Sequence, residues 1–272
     1  MSIVGGFATA HIMMKRGSAG AAGERVFAGM KEIGRRIRAL SPDLIVIISS
    51  DHYYNFRIGH APRVAIAASD VLEPFGDMQL PRDPLPGWAD YALAFASAAR
   101  GAGLPVEVLT DYRPDHGVVI PALVADPQRR TPILPVIIDT GGEAMPEPRE
   151  AWALGTVLRQ LADVRPERVV VVGTGGLSHW LGVPEMGRVN EAFDRRVIDT
   201  LIAGRGEALT NWAAADVRAE GGNGGLEIVN WVMMAATLPG CTGEQVYYEA
   251  LPEWVTGMGG IELFAGRERV AA

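Results

Sequence analysis

Two hydrophobic rhythms alternate along the chain. Short aliphatic and β-branched runs predict strands over residues 3–8, 44–49, 64–68, 106–109, 133–138, 168–172 and 245–251. Between them, apolar residues recur every three or four positions. That spacing predicts helices over 24–40, 88–100, 150–161, 189–203 and 226–237. Runs such as Leu44-Ile-Val-Ile-Ile48 and Val169-Val-Val-Val172 show no polar alternation, so those strands are expected to be covered on both faces. Strands alternating with helices predict an α/β fold: one mostly parallel or mixed sheet with helices on both faces. Pro-rich stretches at 80–87 and 145–148 read as loops, and Gly257-Met-Gly-Gly260 reads as a turn. Neither Pro-rich stretch shows a shift in composition, so residues 1–272 are expected to form a single catalytic domain.

Composition narrows the picture. A 272-residue chain buries roughly 70–75% of its unfolded surface, and 48% hydrophobic residues suffice to fill such a core. The net charge of −7 argues against nucleic acid as a partner. Arg35, Arg36 and Arg38 form the densest basic run, opposite the apolar stripe Val26, Phe27, Met30, Ile33, Ile37 and Leu40, so they are expected on a solvated helix face. A single cysteine, Cys241, sits in the turn-like stretch Leu238-Pro-Gly-Cys-Thr-Gly243, which excludes an intrachain disulfide and a Cys-rich zinc site. With no signal-peptide pattern and no apolar run of about 20 residues, a cytoplasmic protein without membrane spans is expected.

Candidate chemistry gathers at the predicted strand ends, where open α/β sheets place their sites. Of the five histidines, His11, His52, His116 and His179 each fall just beyond a predicted strand, and His60 lies in a loop. Singly, each is more often structural than functional; their shared placement points to a metal or acid–base centre. Glu227 opens the apolar helix Leu226-Glu-Ile-Val-Asn-Trp-Val-Met-Met-Ala-Ala235. It reads equally as a dipole-favoured first-turn acid or as a buried carboxylate needing a partner. Two imidazoles and one carboxylate would make the facial triad of Fe(II) oxygenases. Gly173-Thr-Gly-Gly176 fits neither a P-loop nor a full dinucleotide fingerprint, and is read as a tight turn presenting Ser178 and His179. Gly221-Gly-Asn-Gly-Gly225 reads as a flexible lead-in to the Glu227 helix.

At these residues the chain resembles the class III extradiol dioxygenases, the group containing the catalytic β subunit of protocatechuate 4,5-dioxygenase. The matching pieces are Ala8-Thr-Ala-His11, Ser50-Asp-His52, Asp115-His-Gly117, Gly173-Thr-Gly-Gly-Leu-Ser-His179 and Gly225-Leu-Glu-Ile-Val-Asn-Trp231, which span most of the chain in the family's order. Ser50 stands where some relatives carry Asn. The resemblance implies an Fe(II) cofactor held by His11, His52 and Glu227. It implies His179 as the acid–base residue, His116 as a group near oxygen and substrate, and Asp115 as the residue orienting its neighbour. It further implies a small aromatic diol and O2 as reactants, opened beside the diol.

A homo-oligomer is expected, most simply a dimer, and the resemblance leaves room for a small partner subunit. Lys15 and Arg16 lie near His11 in sequence and are candidates for a substrate carboxylate, although surface charge explains them as well. Two other readings compete. His₂Glu is also a catalytic zinc set, which would make a metal-dependent hydrolase. A non-catalytic binding protein on the same fold is the other.

Overall fold

The computed structural model describes residues 2–11, 14–15, 17–57, 59–141 and 145–268. Ten strands run in chain order: β1 (Ile3–Thr9), β2 (Leu44–Ser49), β3 (Val64–Ala67), β4 (Val71–Leu72), β5 (Leu85–Pro86), β6 (Glu107–Leu109), β7 (Ile133–Ile138), β8 (Val169–Thr174), β9 (Cys241–Leu251) and β10 (Thr256–Glu268). The helices are α1 (Gly20–Ala39), α2 (Ala89–Gly101), α3 (His116–Ala125), α4 (Pro148–Asp163), α5 (Glu191–Ile202), α6 (Ala214–Gly221) and α7 (Ile228–Ala236). Eight strands form one sheet in the order β6-β3-β7-β2-β8-β1-β10-β9, and β4 and β5 pair apart from it.

The sheet is mixed. β7, β2, β8 and β1 run parallel, β3 is antiparallel to β7, and β10 and β9 close the far side as an antiparallel pair. Every residue of β2, β7 and β8 is buried. Alternate side chains still serve opposite faces. Leu44, Val46 and Ile48 join a core with residues of α2, α4, α5 and α7. Ile45 and Ile47 join a second core with α1 and α3. Helices therefore cover both faces, as the uninterrupted strand runs predicted.

Four readings change. The segment 257–260 belongs to β10 and is no turn. Its glycines mark close packing: a Cβ on Gly259 would press on Leu177, and one on Gly260 would strike Tyr247. α3 went unseen in the sequence. Its Gly-Val-Val-Ile-Pro-Ala-Leu-Val-Ala stretch is apolar all round and contains Pro121, so it carries no 3.6-residue rhythm. Cys241 and Gly243 are strand residues of β9, and Cys241 is buried. The arginines of α1 are more engaged than a bare solvated face: Arg36 bonds Glu32, Glu244 and Glu262, tying α1 to β9 and β10. Among the described residues, no helix is long and apolar enough to cross a membrane.

Candidate metal and acid–base site

Neighbouring strands β2, β8 and β1 end side by side, and His52, His179 and His11 follow their carboxyl ends. Glu227 is delivered by the single turn of 3₁₀ helix Gly224–Glu227 that precedes α7. His116 arrives by another route. β6 is the far edge strand, so its end lies away from the centre, and His116 is instead the first residue of α3. His60 is exposed in its loop. The cavity so formed, about 400 Å³, is lined by all four site histidines and by Glu227. Ser50, Tyr53, Thr140 and Asn223 also face it. Lys15 is exposed and does not line it among the described residues, and Arg16 lies outside the described residues.

Each histidine is held from behind. His11 Nδ1 makes a long 3.4 Å contact to Thr174 Oγ1, whose hydroxyl reaches the Gly117 carbonyl at 3.3 Å. His52 Nδ1 lies 3.0 Å from Asp115 Oδ2, and the same oxygen accepts the His52 backbone N–H at 2.8 Å. Asp115 also caps α3, Oδ1 accepting from Gly117 N. Asp115 therefore orients His52 and not its sequence neighbour. The neighbour, His116, has a carboxylate of its own: its Nδ1 lies 2.6 Å from Asp77 Oδ2. His179 Nδ1 lies 3.0 Å from the Leu177 carbonyl, which can only accept. That contact places the proton on Nδ1 of the neutral ring and leaves Nε2 as a lone pair.

Glu227 is the hub. Oε1 lies 3.8 Å from His11 Nε2 and 3.7 Å from His52 Nε2, while Oε2 lies 3.9 Å from His179 Nε2 and accepts from Gly176 N at 3.0 Å. Burial disfavours its charge, but His11, the hydrogen bond and charge of His52, and His179 together hold it well below the usual carboxylate range. Burial drives His11 down to about 3, against the pull of Glu227. His52 goes the other way. Burial opposes its charge, yet Asp115 and Glu227 raise it to about 10. His116 is lowered by burial and by its neighbour His52.

The donor set suits a divalent cation. Two metal–ligand bonds of about 2.0–2.2 Å together span at most about 4.4 Å, and the Nε2 atoms of His11 and His52 each fall within that reach of Glu227 Oε1. Their outward ring nitrogens are already engaged, as ligating histidines require. A second trio, His11, His52 and His116, has ligand atoms within 4.8 Å of one another. It lacks the negative charge that Glu227 brings.

Glycine makes room at two points. Gly175 has φ +125°, and a Cβ there would meet Glu227. A Cβ on Gly224 would come 2.0 Å from His179 Nε2. Ser50 is buried beside Thr140 and Asn230, which reach its hydroxyl at 2.9 and 3.3 Å. Asp77 carries no sequence signal; Thr174 and Asn230 lie within matching segments, but their roles depend on partners distant in the chain.

Comparison with known proteins decides the class. Residues 8–259 match the sequence model of the catalytic LigB subunit of aromatic ring-opening dioxygenases. The chain belongs to this family. A 2,3-dihydroxyphenylpropionate/2,3-dihydroxicinnamic acid 1,2-dioxygenase from Burkholderia vietnamiensis is 29% identical over 90% of each chain. One of the same name from Cupriavidus pinatubonensis is 32% identical over 72% of this chain and 60% of its own. An uncharacterized protein, JW3007, from Escherichia coli K12 shares the fold, with a TM-score of 0.61 at 15% identity over 95% of this chain and 99% of its own. The LigB-family chain is an extradiol ring-cleaving dioxygenase for a catechol-like aromatic, and its chemistry calls for a metal cofactor.

Proposed function

We propose that the cofactor is Fe(II), held by His11, His52 and Glu227, and that the substrate is a catechol bearing a substituent beside its diol. The observation carrying this reading is the convergence of two imidazole Nε2 atoms on one carboxylate oxygen at 3.7–3.8 Å. Two histidines and one carboxylate form the set that suits non-haem Fe(II) oxygenases. Fe(II) supplies the one-electron chemistry toward O2 that no side chain can.

The protein residues divide the remaining work. His179 Nε2, with its proton fixed on the far nitrogen by Leu177, is placed to take a phenolic proton and return one as the ring opens. His116, which lines the same cavity, is the second such group. Thr174 and Asp115 hold His11 and His52 in the orientation that points Nε2 inward. Tyr53 and Leu181 at the mouth offer apolar surface to a ring substituent. Reaction breaks one ring C–C bond beside the diol, and both atoms of one O2 end in the product. The relatives named for 2,3-dihydroxyphenylpropionate support a substituent next to the diol. Assembly as a homodimer in the cytoplasm completes the reading; a single buried thiol suits a reducing compartment. Light scattering on the isolated chain tests the dimer, and a stable active monomer ends that part.

The deciding experiment loads metal-stripped protein anaerobically with Fe(II) or zinc and adds catechols substituted at either ring position. One iron per chain and one O2 consumed per ring opened are expected, fastest with the substituent beside the diol. Equal oxygen uptake with zinc, or none with iron, overturns the assignment.

A further inference from the structure

A second carboxylate–histidine pair lies beside Asp115 and His52, the His116 ring 4.0 Å from the His52 ring. Asp77 Oδ2 sits 2.6 Å from His116 Nδ1 and 3.3 Å from the His116 backbone N–H, so two donors of one residue converge on one oxygen. The Asp77 side chain is 2% exposed. Its other oxygen, Oδ1, is buried without a hydrogen-bond partner among the described residues. Buried carboxylate oxygens are seldom left unpaired, because each unmade bond forfeits solvation. The backbone around Asp77 is unusual as well. Gly76, Met78 and Gln79 have φ of 79°, 50° and 62°. Two of these are side-chain-bearing residues in the left-handed region, the kind of strain that persists where the surroundings enforce it. The turn is pinned to the segment before α3, since Phe75 N donates to the Pro114 carbonyl at 2.8 Å. A strained turn with a half-satisfied acid is a poor way to build stability alone. It is a direct way to aim one oxygen at one ring nitrogen.

We propose that Asp77 is a positioning residue for His116, fixing its ring as the Nδ1–H tautomer so that Nε2 faces the cavity as an acceptor. This rests on the reading that His116 takes part in ring cleavage. The pairing parallels Asp115 and His52, with one difference: Asp115 has both oxygens occupied, while Asp77 uses only one. Asp115 serves a helix cap and a candidate metal ligand together. Asp77 serves one ring.

Histidine-labelled protein read by long-range ¹H–¹⁵N NMR, with zinc in the metal site, reports the His116 tautomer without turnover. Wild type and Asp77→Asn should show Nδ1–H, because an amide oxygen still accepts from both His116 donors. Asp77→Ala should show a mixture. With iron, Asp77→Ala should keep its metal and KM while kcat falls roughly 10–100-fold, the range for losing the carboxylate behind a functional histidine; Asp77→Asn should restore most of it. In a His116→Ala background, Asp77→Ala should cost nothing further. An unchanged tautomer in Asp77→Ala, or additive losses in the double variant, overturns the proposal. Should Asp77→Ala fail to fold, a shifted tautomer in Asp77→Asn with undiminished kcat overturns it equally. If His116→Ala alone leaves turnover intact, the role of His116 falls, and the tautomer measurement still judges Asp77.

Discussion

Two buried carboxylates grip the same turn and live in opposite electrostatic worlds. Glu227 accepts from Gly176 N, and Asp194 of α5 accepts from Ser178 N at 2.7 Å; His179 follows immediately. Both are buried, Glu227 at 5% exposure and Asp194 at 0%. Burial penalises the charge of each. Glu227 has three imidazoles within 3.9 Å and is held ionised well below the usual range. For Asp194, burial outweighs the hydrogen bonds from Ser178 and Tyr248, and its carboxyl rises to about 6. At Asp194 two hydrogen bonds and the pull of His179 do not offset burial, whereas at Glu227 three close imidazoles do. One acid is equipped to meet a metal, the other to hold a loop.

The sharpest way to break this contrast is to neutralise each acid without changing its shape. Glu227→Gln removes the charge facing His11 and His52. Iron content should collapse and ring cleavage should fall by more than the roughly 10–100-fold typical of losing an outer partner of a ligand. Asp194→Asn should keep its iron. Metal analysis on both variants, beside circular dichroism, checks this; full iron in Glu227→Gln would remove it from the ligand set.

Next in size is the residue the two acids position together. His179→Ala should keep iron and fold, still bind a catechol, and lose roughly 10²–10⁴ in turnover, the range for a placed acid–base group. Small exogenous bases should restore part of it. Loss of iron in this variant would make His179 a ligand, and near-normal turnover would move the proton to His116.

A smaller effect comes from displacing His179 without touching its chemistry. A Cβ on Gly224 would land 2.0 Å from His179 Nε2. Gly224→Ala should therefore lower kcat by about 10²-fold, as misplacement near 1 Å can, with iron retained. Unaltered kcat would mean that the ring swings aside at no cost.

The sequence made one half of this comparison readable. His11, His52 and His179 sit at the ends of parallel strands that point the same way, so their neighbourhood follows from the rhythm of the chain. Glu227 could be read two ways, since a first-turn acid and a ligand look alike until burial is known. Asp194 and Asp77 were invisible. Asp194 lies on a helix whose polar positions look ordinary, and its burial depends on Tyr248 of β9, 54 residues away. Asp77 depends on a left-handed backbone and on a partner 39 residues on. The sequence offers Asp115 a partner in its chain neighbour, whereas the fold turns it to His52 across 63 residues. Periodicity encodes which face a residue takes; it does not encode which distant donor will meet it.

The last test concerns how the raised acid affects stability. Asp194 has its carboxyl at about 6 in the folded chain against 3.8 when unfolded. Between these values the folded state holds a proton that the unfolded state has released, so stability must fall as pH rises. The contribution is fully present below about pH 3.8, declines through the window, and is gone above about pH 6. A difference of about two pKa units bounds the swing at about 3 kcal/mol. Asp194→Asn cannot titrate, and an amide can still accept from Ser178 N. Urea unfolding of metal-stripped wild type and variant from pH 4 to 7 isolates the term, because the other titrating groups cancel in the difference. Wild type should lose ground to Asp194→Asn as pH rises to about 6 and then hold level. Glu227 predicts the reverse sense for itself, since a depressed acid loses its stabilisation only as pH falls. A flat difference, or one rising with pH, would mean that Tyr248 and Ser178 compensate the buried charge fully, and the two acids would no longer stand apart.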